Sequence, residues 1–404
     1  MSPSRTAPAL SVRTTGAEEH RAFVAAIAEQ GGSASFLQTP AWARVKPDWH
    51  AESIAWQDPT GRVVGVALVL YRQLPKVRRY LAYLPEGPVL PWGEAAGADG
   101  LERWLAPLAT HVRAAGAFGV RIGPPVVTRR WSAAAVKEGI ADEAVDSLTD
   151  LAPSSEHADG LAVVRQLEEL GWRRQGAEGG FAAGQPQYNF QVPLADDAGI
   201  PLAEDEVLRR MNQLWRRNIK KAAKLGVEVT SVAGSATPPP ELDEALAAFH
   251  ALYVHTAERD HFTPRPLSYF RTMAEALGAE DRDRFRVFAA RHEGDLVAST
   301  VAIRVGTHAW YSYGASSTEK REVRGSNAVQ WAMVRDAFAA GAHVYDLRGI
   351  TDTLDPDDSH VGLIQFKVGT GGEAVEYAGE WDLPLNPLVY KAFSVYMQRR
   401  SSGR

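Results

Sequence analysis

The chain has 404 residues, 45% hydrophobic and 23% charged, with no cysteine and with 49 acids against 44 Lys and Arg for a net charge of −5. That length exceeds one ordinary domain, and the composition is that of a folded protein, which excludes a disordered or fibrous chain. The lack of cysteine excludes disulfides, thiolate nucleophiles and thiolate metal sites, and the acidic balance leaves room only for a local basic patch, not for a generally basic nucleic-acid binder.

Residues 1–16 read as a loose tail without the apolar stretch of a signal peptide. The longest apolar run, 63–71, falls well short of the ~20 residues a membrane-spanning helix needs. The chain is therefore expected to be cytoplasmic and to meet a membrane only at its surface. A helical period covers 18–28. Thr39 followed by Pro40 marks a helix start. Strands are predicted at 56–57, 63–72 and 79–84, the first two joined by the turn Asp58-Pro59-Thr60-Gly61. Residues 101–115 form an amphipathic helix ending at Gly116, and 118–122 a strand. Between 132 and 184 only a helix at 163–170 and a Gly- and Ala-rich loop from 178 to 187 can be read. Residues 187–194 alternate as a strand.

The span 206–225 reads as one strong helix with Leu208, Met211, Trp215, Ile219 and Ala222 on its apolar side. A strand at 227–232 and the prolines 238–240 lead to a helix at 241–259. Strands at 284–290, 296–305 and 308–313, a helix at 327–340 and a strand at 344–347 follow. The segment from Gly61 resembles that from Gly294, and the segment from Val112 that from Ala337. The order turn, hairpin, helix, Ala-Gly-Ala, strand thus occurs twice at a separation of about 230 residues, which points to a duplicated α/β domain.

The helix at 206–225 carries Arg209, Arg210, Arg216, Arg217, Lys220, Lys221 and Lys224 with no acid among them. Like charges at helical spacing repel, so an anionic partner such as the phosphates of RNA is the natural complement; a solvated charged face is the plainer reading. Arg265 and Tyr269 fall four residues apart on a helix begun around Pro266, and an Arg fork with a Tyr hydroxyl suits a phosphate. Alternation on the strand through Trp310-Tyr-Ser-Tyr313 places Trp310 and Ser312 on one face and Tyr311 and Tyr313 on the other. Lys367 stands beside the Gly-rich turn 369–372, which lacks the spacing of a phosphate-binding P-loop. His250, His255 and His261 are spaced against a shared helix face, and the acids at 352–358 lack a calcium-loop pattern, so no metal site is expected. Neither a Gly-x-Ser-x-Gly elbow nor a GxGxxG appears.

At these residues the chain resembles the FemABX aminoacyl-tRNA-dependent transferases that build peptidoglycan cross-bridges, and looks most like FemX-type (lipid II:glycine glycyltransferase) members of high-GC bacteria. The matching stretches are 36–46, 72–76, 83–88, 212–222, Arg259-Asp-His-Phe-Thr-Pro-Arg265, Tyr313-Gly-Ala-Ser316, Tyr345-Asp-Leu-Arg-Gly349 and Gly362-Leu-Ile-Gln-Phe-Lys367. They occur in order and span roughly 35–400. The resemblance implies an α/β fold with mixed sheets, built as two tandem GNAT-like acyltransferase domains: a tail at 1–16, domain 1 at 17–186 plus 379–404, and domain 2 at 187–378. It also implies that Lys46, Arg265 and Tyr269 hold the precursor phosphates, that Tyr313 lines the cleft, and that Lys367 assists catalysis near the peptide amine and the tRNA end. Charge, more than the resemblance, makes Arg216, Arg217, Lys220, Lys221 and Lys224 the tRNA-facing surface.

Two departures matter. Where some members carry a carboxylate after the first-domain strand, this chain reads Arg121-Ile-Gly123-Pro-Pro, so no general base is carried over. The helical arm that some members insert after the basic helix is absent, so no coiled-coil arm is expected. The implied reaction moves an amino acid, glycine being favoured, from aminoacyl-tRNA to the side-chain amine of the third stem-peptide residue of lipid II or a UDP-linked muropeptide. No cofactor is implied, and the partners are the charged tRNA, the precursor and a peripheral membrane surface. Three readings compete: the same chemistry on a small antibiotic-type amine, an acyl-CoA-dependent N-acyltransferase, whose pyrophosphate loop Glu322-Val-Arg-Gly325-Ser-Asn matches incompletely, and a non-catalytic binder of tRNA or lipid precursor.

Overall fold

The computed structural model describes residues 9–75, 77–97, 100–176, 184–358 and 360–401. In the amino-terminal part β1 (Ser11–Thr14), α1 (Ala17–Glu29), α2 (Ala41–Val45), β2 (His50–Gln57), β3 (Val63–Leu74), β4 (Val77–Leu84), α3 (Trp92–Ala95), α4 (Glu102–Ala114) and β5 (Ala117–Ile122) succeed one another. Then come β6 (Val127–Ser132), α5 (Ala133–Ile140), β7 (Ser155–Glu156), α6 (Ala158–Glu169), β8 (Arg173–Arg174) and β9 (Tyr188–Pro193). The rest comprises α7 (Glu204–Arg210), α8 (Gln213–Lys224), β10 (Glu228–Ala233), α9 (Pro240–Asp260), α10 (Leu267–Glu280), β11 (Phe285–His292), β12 (Asp295–Val305), β13 (His308–Ser316), α11 (Gly325–Ala339), β14 (Val344–Ile350), α12 (Val361–Val368), β15 (Glu373–Tyr377), β16 (Trp381–Pro384) and α13 (Pro387–Ser401).

Two mixed sheets result. The first has the order β1-β2-β3-β4-β5-β16-β8, the second β10-β11-β12-β13-β14-β9-β15-β6-β7. Each opens as an antiparallel run and then switches to one parallel pair, β4 with β5 and β13 with β14. Those pairs are bridged by α4 and α11, because parallel neighbours need a crossover long enough to hold a helix. The fold is the mixed α/β, two-sheet class expected from the internal similarity. From Lys224 the chain reaches β10 at Glu228 with no intervening arm.

The sheets redraw three expectations. Part of the expected tail, Ser11–Thr14, is a strand paired in register with Ile54–Gln57; residues 1–8 lie outside the described residues. Between 132 and 176 the chain is built around α5 and α6, with Ser132 Oγ accepting from the Ala135 amide at 3.2 Å as the N-cap of α5. Strands β6 and β7 join the second sheet, not the first, so sheet membership does not follow a boundary at 186/187, although β16 does return to the first sheet. Residues 177–183, within the expected Gly- and Ala-rich loop, lie outside the described residues.

One apolar core lies between the sheets. It joins Val66, Leu68 and Leu70 of β3, Phe36 and Trp42, Phe249 and Phe270 of α9 and α10, and Val301, Ile303 and Trp310 of β12 and β13. Separate cores fill the outer faces, one under α4 and α6, the other under α5, α11 and α12. The elements that carry Lys46 and Arg265 thus share one packed interior. Among the described residues no helix is long and apolar enough to cross a membrane.

Candidate active site

Lys46 closes α2 as its C-cap residue. This short helix is pinned to α10 by the Ala41 amide, which donates to Glu280 Oε1 at 2.7 Å, and by the Arg44–Glu275 ion pair. The pinning brings Lys46 over Tyr269, with Nζ 5.4 Å from that ring and 5.5 Å from the Trp42 ring. Arg265 stands on the same tyrosine, its guanidinium 5.6 Å from the ring. It is not on the helix, as expected from the spacing, but flanks it: Pro266 is the N-cap of α10 and no side chain caps that end. The Tyr269 and Tyr313 hydroxyls are 3.2 Å apart. Four of the candidate residues therefore form one cluster.

This cluster is cationic and unneutralised. Among the described residues neither Lys46 nor Arg265 meets a carboxylate within 4.0 Å. Burial, and then the nearby Arg265 guanidinium, hold the Lys46 ammonium below the usual lysine range. Two cations, two hydroxyls and an uncapped helix N-terminus make an anion cradle.

Tyr313 reaches the cradle because β13 is bulged. Val301 pairs with Tyr313 but Ala302 pairs with Tyr311, which leaves Ser312 as the extra residue. A single inserted residue reverses the side-chain alternation beyond it. Hence Trp310 and Tyr313 face the shared core while Tyr311 packs on the outer one, which corrects the expected pairing of Tyr311 with Tyr313.

Lys367 lies apart from the cradle. It sits on α12, only 4% exposed, and Nζ donates to the carbonyls of Gly349 at 2.7 Å and Arg348 at 3.2 Å. Burial lowers its pKa to about 7, the Asp346 carboxylate opposing that fall. The carbonyls it holds belong to a left-handed turn, with Arg348 at φ 62°. Arg348 connects Lys367 to the cradle: its guanidinium is 5.7 Å from the Phe36 ring, whose neighbour at 5.1 Å is Trp42. Asp346 accepts from the Arg348 amide at 2.6 Å and from Gln191 at 3.1 Å, and contacts His308 Nε2 at 3.1 Å.

Sequence reasoning gave no role to three residues found here. Glu86 pairs with Arg348 at 2.7 Å across the two halves of the chain and accepts from Ser35 Oγ at 2.6 Å. Glu86 and Arg348 both have positive φ, at 46° and 62°, strain that the surrounding contacts must hold in place. The third is Glu380, which lies 3.6 Å from the position a Cβ on Gly123 would take. Burial, partly offset by Arg121, raises its carboxyl, and Tyr83 donates to it. A carboxylate from the returning chain thus stands against the strand end that lacks one. The stretches 83–88 and 345–349 were visible as motifs, but their charges meet only in three dimensions.

The basic helix is two helices. Met211 takes an extended conformation, Asn212 caps α8 by accepting from the Trp215 amide at 2.9 Å, and Arg210 pairs with Glu206 on α7. Five cations remain on α8, of which Arg217, Lys220, Lys221 and Lys224 are exposed and Arg216 half-buried. The helix is docked to α12, where Trp215 Nε1 donates to the Phe366 carbonyl at 3.0 Å and the two rings lie 4.8 Å apart. Of the three histidines, His250 contacts the Arg265 carbonyl at 3.1 Å and His255 the Thr318 hydroxyl at 3.2 Å. A cavity of about 160 Å³ beside β10 and α9 contains none of the candidate residues.

The two like-built sheets define the fold class seen in the crystal structure of FemX. That structure superposes with a TM-score of 0.74 at 23% identity, over 95% of this chain and 99% of the other. The chain matches the FemAB family over residues 15–287 and 279–398; it belongs to the FemAB family and is a transferase. It is similar to the UDP-N-acetylmuramoylpentapeptide-lysine N(6)-alanyltransferase of Weissella viridescens, 30% identical over 86% of this chain and 89% of the relative. It is also similar to the lipid II:glycine glycyltransferase of Staphylococcus aureus strain MRSA252, 24% identical over 96% of each. These relatives give no support to the high-GC affiliation expected from the sequence.

Proposed function

We propose that this protein transfers one small amino acid, glycine or alanine, from aminoacyl-tRNA to the side-chain amine of the third stem-peptide residue of a peptidoglycan precursor. The observation that carries this is the cradle, in which Lys46 and Arg265 share Tyr269 with no described carboxylate to neutralise them. A diphosphate-linked muropeptide supplies the missing charge. The tRNA end approaches along α8, which is fastened to the helix of Lys367.

The amine nitrogen attacks the ester carbonyl, its electron pair forms the new C–N bond, and the carbonyl oxygen becomes an oxyanion. Collapse breaks the bond to the ribose oxygen, which leaves with a proton, while the attacking nitrogen gives one up. The ester is already activated, so positioning and charge stabilisation carry the catalysis. Glu380, a carboxyl raised by burial, is the candidate acceptor for the amine proton, and Lys367 the candidate donor to the ribose oxygen.

Mass spectrometry of lipid II and of UDP-linked muropeptide, each incubated with the protein and tRNA charged with mixed amino acids, tests the assignment. One residue mass gained on the stem peptide, abolished by ribonuclease, is expected and names the amino acid. No gain on either acceptor while charged tRNA still binds would redirect the search to other amines.

Two further results are expected. Lys367 is cationic below about pH 7 and neutral above it, so its proton is available only on the acid side. With acceptor saturating, the transfer rate should fall as pH rises through that value, and Lys367→Arg should flatten the fall; a limb that persists in the variant removes Lys367 from proton transfer. The double substitution Arg217→Glu, Lys221→Glu should raise the KM for tRNA and make its salt dependence shallower, the slope of log kcat/KM against log salt changing by roughly 0.7–0.9 for each lost phosphate contact. An unchanged slope would return α8 to a solvated charged face.

A further inference from the structure

The C-terminal helix α13 has a face that a solvated helix does not ordinarily carry. Tyr390 and Phe393 are buried, with Met397, against Leu74, Leu81 and Phe118 of the first sheet. Away from that stripe, at three- and four-residue spacing, Leu388, Lys391, Val395 and Arg399 are all exposed, Leu388 by 83%. The helix has no acidic residue. Beside it, where Leu74 adjoins the α13 cluster, Val77 is 51% exposed and Arg78 and Arg79 are exposed next to it. Among the described residues none of Arg78, Arg79, Lys391 and Arg399 meets a carboxylate within 4.0 Å. This surface runs into the cradle: Arg72, two residues before Leu74, stands 5.7 Å from the Trp49 ring, and the Trp49 amide donates to the Lys46 carbonyl at 3.0 Å.

We propose that α13 and the β3–β4 end form one docking surface for an anionic lipid bilayer. Leu388, Val395 and Val77 enter the boundary between headgroups and acyl chains, and the four cations lie among lipid phosphates. The mixture selects this occupant. Exposed aliphatic side chains find no partner on a nucleic-acid backbone, and a two-fold dimer through this face would press like charges together with no acid opposite them. The docking rests on the proposed function only for its purpose, which is to hold the cradle at the depth of a lipid-linked diphosphate.

The test is co-sedimentation of the full chain with vesicles of phosphatidylcholine, with and without phosphatidylglycerol. Binding should require phosphatidylglycerol and weaken with salt. The pair Leu388→Glu, Val395→Glu should reduce it at least about tenfold, and Lys391→Gln, Arg399→Gln, a gentler change on the same exposed face, severalfold. Both variants should still modify a soluble UDP-linked acceptor at the natural rate. Equal binding to uncharged vesicles, undiminished binding by both variants, a dimer that Leu388→Glu dissociates, or weakened tRNA binding in place of vesicle binding would each overturn the proposal. Intact vesicle binding without turnover of any acceptor would instead count against the proposed reaction and leave the docking surface standing.

Discussion

Glu86→Ala is expected to destabilise the protein by about 3–5 kcal/mol, because it leaves a shielded guanidinium without its counter-charge. Glu86 and Arg348 side chains are 13% and 20% exposed and meet at 2.7 Å. Once Glu86 is gone, Arg348 keeps the Gln185 oxygen at 3.0 Å, the Phe36 ring at 5.7 Å and the more distant charge of Asp346, none of which replaces a carboxylate in direct contact. The backbone contributes little to the difference, since alanine at φ 46° meets the same Cβ hindrance as glutamate. The double variant Glu86→Ala, Arg348→Met should recover a large part of the loss, because removing both charges also removes the desolvation penalty. Denaturant unfolding of the two single variants and the double measures this. A Glu86→Ala change within about 0.5 kcal/mol of the natural protein would show that water screens the pair. Activity carries a second readout: the Arg348 turn presents the two carbonyls that hold Lys367, so the single variant should lower kcat more than it raises KM.

What the sequence disclosed was local or periodic. Thr39-Pro40 announced the short helix that ends at Lys46, and the helices at 101–115 and 241–259 were framed by their apolar spacing and by Gly116 and Pro240. Lys46, Arg265, Tyr269 and Tyr313 were named from a resemblance, and the structure brings all four together around the Tyr269 ring. The failures share a different cause. The break at Met211–Asn212 interrupts a continuous helical period because Asn212 finds a better use as a cap, and its own amide donates to the Gly369 carbonyl at 3.0 Å. The bulge at Ser312 leaves no trace in composition, yet it decides which face Tyr313 takes. Strand β6 crosses to the second sheet because β15, far along the chain, supplies the edge it pairs with, and β7 follows by pairing with β6. Glu86, Arg348 and Glu380 are unremarkable charges in the sequence and acquire chemistry from partners as far as 262 and 297 positions away, Arg348 for Glu86 and Tyr83 for Glu380.

Removing the cradle's cations should separate binding from chemistry. Lys46→Met and Arg265→Ala are each expected to raise the KM for a diphosphate-linked acceptor about 10- to 100-fold, the range of one or two charge-assisted hydrogen bonds, while kcat changes far less. The split follows from position: in the proposed function the diphosphate is remote from the ester, so its contacts serve ground state and transition state alike. The two substitutions should also differ in their protons. In the free protein burial and Arg265 depress the Lys46 ammonium, and a bound diphosphate restores it, so binding at alkaline pH should be accompanied by proton uptake. Arg265→Ala removes one of the two causes before the ligand arrives, and its proton uptake should be smaller. Lys46→Met should abolish it. Calorimetric titration in buffers of differing ionisation enthalpy reads this directly. A collapse of kcat at unchanged KM, or equal proton uptake in all three proteins, would mean that Lys46 and Arg265 act on the reacting centre and not on a distant diphosphate.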